Sequence, residues 1–353
     1  MFRMRNLSNQ KIFITGGLGF IGSNVAKELL RHGCVLKIYD DFSSGSVSKL
    51  KRLGINPNSS SVSVIRGDIL DRKKLEKEIR GSDVVIHEAA QLEIIKAVAD
   101  PYFDLSINTV GTINVLNSML KNKVPYLINA SSACVYGQKK DSEIPTKETD
   151  FAEPNWPYGV SKLAAEKYCA LYAKMYNLKI VSARYAIIYG QNEWYGRVMT
   201  IFIKNAYHGK PLIVYGDGKQ KRDFTHVDDA TSFNIKALDY ILNSKTKDGF
   251  HQVFNVSTTK GTTINQLAKF VQTYAKDVFN NQVDIIFDKK VEEGRKSRLK
   301  SGSGIRMPDE LRNMVLSNSK SKRILKLKPK WNLKSGLLRQ MKWMKRNMDL
   351  WKA

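Results

Sequence analysis

Cysteine is scarce: the sequence of 353 residues holds three, Cys34, Cys134 and Cys169, an odd number at wide spacing. That excludes a disulfide scaffold, and without a CxxC pair nothing points to a zinc site or a redox couple. No apolar run approaches the roughly 18 residues of a membrane-spanning helix. No repeat of solenoid or propeller period is present. The first ten residues lack the apolar core and small-residue cleavage site of a secretory leader. These absences predict a soluble, cytoplasmic protein in a reducing compartment. Negative charge is also short, with 33 Asp and Glu against 58 Lys and Arg, a net charge of +25. The last 63 residues alone carry 18 basic and 5 acidic side chains. Such a balance draws anionic partners. Within 337–348, however, the cations alternate with Leu, Trp and Met at helical spacing, which predicts packing and makes nucleic-acid or membrane binding unexpected.

What is present is a rhythm. Residues 11–15, 35–39, 62–66, 84–87, 126–130 and 180–183 are short, β-branched runs that read as buried strands. Between most of them, 20–31, 72–79, 104–121 and 158–176 space apolar residues as helices packed on a sheet require. The alternation predicts an α/β fold with a doubly wound parallel sheet. Beyond about residue 190 helices dominate, with strand-like patches at 212–215, 254–257 and 283–287, so a smaller, mainly helical C-terminal lobe is expected. The basic, Gly- and Ser-containing stretch 289–305 reads as a mobile loop.

The first strand runs into IFITGGLGFIG (12–22) and then a helix. Gly17, Gly19 and Gly22 satisfy GxGxxG, and Gly16, Gly19 and Gly22 satisfy GxxGxxG; both expose backbone where a pyrophosphate meets a helix N-terminus. The second strand ends in Asp40 and Asp41, where a carboxylate can accept from ribose hydroxyls. No Lys or Arg lies within 40–46 to receive a 2′-phosphate, which favours NAD over NADP. In WPYGVSKLAAE (156–166), Tyr158 and Lys162 stand four apart on one helix face. An ammonium beside a phenol favours the phenolate, which a general base near neutral pH needs. Ser131 and Ser132 follow the fifth strand, at the C-terminal end where open α/β sheets bind ligands.

Taken in order, TGGLGFIG, GDI (67–69), HEAA (87–90), SSxxVYG, YxxxK and RDF (222–224) resemble an extended short-chain dehydrogenase/reductase. The chain is similar to the NAD-dependent nucleotide-sugar epimerase/dehydratase branch, typified by the sugar 4-epimerases. The resemblance implies a Rossmann-type NAD-binding domain at 1–190, to which 226–260 returns, and a substrate lobe at 191–225 and 261–353. It implies that Phe20, Ile21 and Ser44 join the glycine turn and acidic pair around NAD. Asp68 and Ile69 would flank the adenine, Ala89, Ala90 and Gln91 the cofactor's middle, and Asn108 and Tyr185 the nicotinamide side. Ser132 would hold the reacting sugar hydroxyl, Tyr158 would move its proton, and Lys162 would hold the nicotinamide ribose. Arg222 and Arg306 would face the substrate diphosphate, with Trp194 and Tyr195 near the base. His87 reads as a packed strand end.

Two departures narrow this. Dehydratases of the family carry an acid pair where Ala133 and Cys134 stand, and decarboxylases a glutamate at Cys134. Ile187 replaces an asparagine that related epimerases turn to the substrate, leaving UDP, GDP and CDP open. The expected protein is an NAD-dependent nucleotide-sugar epimerase, without metal, acting as a homodimer through 104–121 and 158–176. A reductase or dehydrogenase of the same family is the alternative, and a binding protein using its basic tail is a further one.

Overall fold

The computed structural model describes residues 7–193, 195–288 and 312–351. Seven parallel strands form the main sheet: β1 (Lys11–Thr15), β2 (Val35–Asp40), β3 (Val62–Arg66), β4 (Val84–His87), β5 (Tyr126–Ser132), β6 (Lys179–Tyr185) and β10 (Phe250–Val256), in the order β10-β6-β5-β4-β1-β2-β3. The order reverses at β1, so β1 and β4 flank the crevice at the topological switch point. Alternate residues of each strand enter different cores. Ile12 and Ile14 pack on one face with Val25, Leu29 and Phe233, whereas Phe13 packs on the other with Leu75, Leu116 and Cys169. Helices on both faces are why these strands are apolar on both sides.

β10 lies 65 residues beyond β6 in sequence yet pairs with it from Phe250↔Lys179 to Val256↔Tyr185. The sequence patch at 254–257 marked only its end. The chain between these strands, together with the chain after β10, builds a second lobe: β7 (Ile187–Tyr189), β8 (Leu212–Tyr215), β9 (Lys221–His226), β11 (Gly261–Thr263), β12 (Ile285–Asp288) and β13 (Asn313–Met314) form two small sheets. Its core joins Phe202, Ile203, Leu267 and Val271 to Leu337, Met341 and Met344 of the helix Leu333–Arg346. Leu337, Met341 and Met344 of the basic tail are therefore buried in this lobe. No helix among the described residues is long and apolar enough to cross a membrane. The loop expected at 289–305 lies outside the described residues.

The expected helix 104–121 differs in detail. Helix Pro101–Leu105 begins earlier, where Asp100 accepts from the Phe103 amide at 2.9 Å, and passes through a π-turn, Ser106–Val110, into Gly111–Lys121. The extra residue in that turn brings Asn108 onto the Gln91 backbone.

Candidate active site

The C-terminal ends of the main-sheet strands open on a cleft of about 370 Å³. Gly16 enters it at φ +66°, and a Cβ there would lie 2.6 Å from the Ala89 amide nitrogen. At Gly22 a Cβ would lie 2.3 Å from the Gly16 carbonyl oxygen. Gly16, Gly19 and Gly22 line the cleft together with Phe20 and Ile21. Gly17 faces the core, its Cβ position 2.8 Å from Ile38. The GxxGxxG frame thus forms the wall, leaving bare backbone at a helix N-terminus for an anionic group.

Asp40 ties this turn to β2, accepting from the Leu18 and Phe42 amides, each at 2.9 Å. Burial pushes its carboxyl up, while those two bonds and the Lys49 charge draw it down. Lys49, outside the window 40–46, is thus a buried cation beside the carboxylate, with Nζ donating to the Ser44 carbonyl at 2.8 Å. Asp41 and Ser44 line the same end, and Asp41 accepts from the Ser43 amide at 2.9 Å. Asp68, Ile69, Ala89, Ala90 and Gln91 continue the wall. Asn108 stands behind it, accepting from the Gln91 amide (3.1 Å) and donating to its carbonyl (3.0 Å). Its position is set by the π-turn.

At the other end Ser132, Tyr158, Lys162 and Tyr185 converge on the cleft from β5, the helix Pro157–Tyr176 and β6. Burial pushes the Tyr158 phenol up, and the largest opposing influences are a hydrogen bond with Ser132 and the Arg197 charge. The i,i+4 spacing assigned that part to Lys162. In the fold the Lys162 ammonium is itself drawn down by burial, with Glu88 the strongest charge opposing this. His87 is buried between Thr15 (2.6 Å) and Thr112 (3.1 Å), and burial drives it down to about 3, so its ring is neutral and structural.

The expected substrate contacts are less concentrated. Trp194 and Arg306 lie outside the described residues, and Tyr195 and Arg222 do not line the cleft. Arg222 donates to the carbonyls of Lys221 (3.0 Å) and Arg312 (3.2 Å), and its charge reaches Cys134. Ile187 is set back, while its neighbour Ile188 lines the wall. Two charged residues stand out among the lining residues that sequence reasoning did not name. Arg197 donates to the Ile188 carbonyl at 3.1 Å and lies 5.5 Å from the centre of the Tyr195 ring. Glu88 accepts from the Tyr185 hydroxyl at 2.8 Å. Its place directly after β4, within HEAA, was the available signal; Arg197 offered only its position before a helix. Among the described residues no group of three His, Cys, Asp or Glu could hold a metal.

A serine hydroxyl and a Tyr–Lys pair facing a bare-backbone dinucleotide wall define an enzyme of the short-chain dehydrogenase/reductase class. A family model for the NAD-dependent epimerase/dehydratase family matches residues 12–257, and the chain belongs to that family, with NAD as its cofactor. It is 31% identical over 341 residues to a putative UDP-glucose 4-epimerase of Methanocaldococcus jannaschii, covering 95% of this chain and 99% of that one. It is 32% identical over 269 residues to a UDP-N-acetyl-alpha-D-glucosaminuronate decarboxylase of Bacillus cytotoxicus, covering 74% and 78%. The crystal structure of Thermotoga maritima UDP-glucose 4-epimerase with UDP-glucose superposes with a TM-score of 0.81 at 29% identity, over 96% of this chain and 100% of that one. The cradle at Gly16 and Gly22, which side chains would fill, fits the pyrophosphate of NAD.

Proposed function

We propose that the protein epimerises a nucleotide-diphosphate hexose at C4, with a UDP-sugar as the leading substrate. The observation that carries this is the convergence of Ser132, Tyr158 and Lys162 at one end of a cleft whose other end is the glycine wall. NAD, when bound, supplies a hydride acceptor that returns the hydride within the same turnover. Ser132 holds the reacting hydroxyl, and Tyr158 takes its proton as the sugar carbon becomes a ketone. After the keto sugar turns over, Tyr158 gives the proton back, so no net redox change results. Lys162 holds the cofactor ribose and supplies positive charge beside the proton transfer. Arg197 and Arg222 bring positive charge to the sugar end.

Support for an epimerase over its relatives comes from Ala133 and Cys134, which leave the dehydratase acid pair and the decarboxylase glutamate unfilled. Support from the relatives lies in the substrate names quoted above. The lobe built on 191–225 and 261–353 receives the sugar nucleotide, and 1–190 with 226–260 holds NAD.

The test is UDP-glucose deuterated at C4. Retention of the label in UDP-galactose, in the presence of excess unlabelled NADH, supports epimerisation. Label released into free NADH would replace it with the reductase reading.

Pairing across a two-fold axis through the helices at 101–121 and 157–176 completes the proposal. Tyr102, Leu105 and Val110 on the first and Val160, Leu171 and Met175 on the second are exposed, an apolar face suited to a second copy. A monomeric mass in light scattering at micromolar concentration would contradict it.

A further inference from the structure

Three carboxylates act on Lys162, and two of them are committed elsewhere. Glu166 receives two bonds from the Arg184 guanidinium, at 2.9 and 2.7 Å, and another from the Ser131 hydroxyl. Asp104 receives bonds from Ser161, Gln91 and Asn108. Glu88 is placed differently. Its Oε1 accepts from the Tyr185 hydroxyl at 2.8 Å, and that hydroxyl accepts from the Asn234 amide at 2.7 Å. Its Oε2 has no hydrogen-bond partner among the described residues, and Glu88 lines the same cleft as Lys162. A relay thus runs from Asn234, on the helix Val227–Leu242 behind the sheet, through the end of β6 to a carboxylate with one oxygen uncommitted.

We propose that Glu88 is a positioning residue whose carboxylate, oriented by Tyr185 and Asn234, is the counter-charge that keeps the Lys162 ammonium protonated in the cleft. Two charges held where burial limits solvent interact more strongly than in bulk water, which lets Glu88 act on Lys162 across the cleft they both line. The groups around the pair leave it this role. His87 is neutral, Cys169 and Tyr185 are protonated because burial pushes both up, and Glu166 and Asp104 are engaged by their donors. Burial draws Lys162 down and Glu88 is the largest opposing charge, while Glu88 itself is raised by burial to about 7. Glu88 is therefore ionised above neutral pH, where a lysine lowered by burial most needs a counter-charge. The consequence for turnover rests on the function proposed above; the charge state of Lys162 does not.

The test compares full-length wild type with Glu88→Gln, which keeps an oxygen acceptor for Tyr185 and removes the charge. Acylation of Lys162, followed by peptide mass spectrometry across pH, reports its midpoint without substrate, because only the neutral amine reacts. The expected result is a midpoint about one unit lower in E88Q, the smaller end of the shift an opposite charge produces. The alkaline limb of kcat should move down in parallel while the acidic limb of KM stays in place. Glu88→Asp, whose shorter carboxylate withdraws from the lysine, should lower the midpoint less than E88Q, and it carries the test by itself if E88Q does not fold. An unmoved midpoint in a folded variant overturns the proposal. A lowered midpoint in a protein that epimerises no nucleotide sugar would leave the proposal standing and remove the function it serves.

Discussion

The two ends of the cleft are built by different means. At the cofactor end, Gly16 and Gly22 leave no room for a side chain, and Asp40 is held by two backbone amides, so the wall is set largely by main-chain geometry. At the other end, where the proposed substrate binds, the lining comes from side chains of separate elements: Ser132 from β5, Tyr158 from a helix start, Ile188 from β7 and Arg197 before another helix. A backbone cradle tolerates few sequences and recognises one cofactor. A side-chain wall can change substrate by single substitutions without disturbing the fold.

The largest expected effect lies where the two ends meet. Tyr158→Phe removes only a phenolic oxygen and should lower kcat by about 10²–10⁴-fold, roughly 3 to 5 kcal/mol, with NAD retained. Turnover and NAD content of the same preparation check this; Ser132→Ala should be milder. Met341→Ala moves the comparison into the second lobe, where its side chain is fully buried. It should cost about 2–5 kcal/mol in denaturant unfolding while leaving NAD affinity unchanged in any folded protein. If NAD affinity falls as well, the two ends are not separable. Gly22→Ala tests the reverse, placing a Cβ 2.3 Å from the Gly16 carbonyl oxygen. NAD binding should weaken roughly 10–100-fold, about 1.4–2.8 kcal/mol, with little change in the second-lobe core.

The smallest effect probes the seam. Glu193 is buried near Arg197, its amide donating to the Gly190 carbonyl at 3.2 Å and its Oε2 unpartnered among the described residues, and burial raises its carboxyl from 4.5 to about 8. An acid raised on folding is protonated in the native state, so it costs stability as pH rises above its unfolded value and until its folded value is passed. Glu193→Gln cannot titrate. Its stability relative to wild type should therefore grow steadily between pH 5 and pH 8 in parallel thermal melts. A pH-independent difference would mean that Glu193 is ionised in the fold.

How much of this was legible depended on whether the signal was local. Strands at Lys11–Thr15, Val62–Arg66 and Val84–His87 and helices at Phe20–Arg31 and Arg72–Ile79 carry their own periodicity, and their bounds match the reading of the sequence. The helix over 104–121 was visible as an apolar pattern, but its π-turn was not, because nothing in SINTV marks an inserted residue. β9 was missed for a similar reason: KRDFTH is polar, and it becomes a strand only by pairing with β7, β11 and β13.

The sequence alone determined the α/β rhythm, the glycine turn, the acid ending the second strand and the Tyr–Lys pair on one helix face. Each is a short-range pattern whose physics is complete within a few turns or strand residues. Tertiary structure decided which glycine frame lines the cleft, because that depends on how close Ala89 approaches Gly16. It also decided that Lys49 stands beside Asp40, that Arg197 and Glu88 line the same cleft as Tyr158 and Lys162, and that Arg222 is set back from the wall. Those relations join residues far apart in the chain, and burial, which shifts every charge in the cleft, exists only once the chain has folded around it.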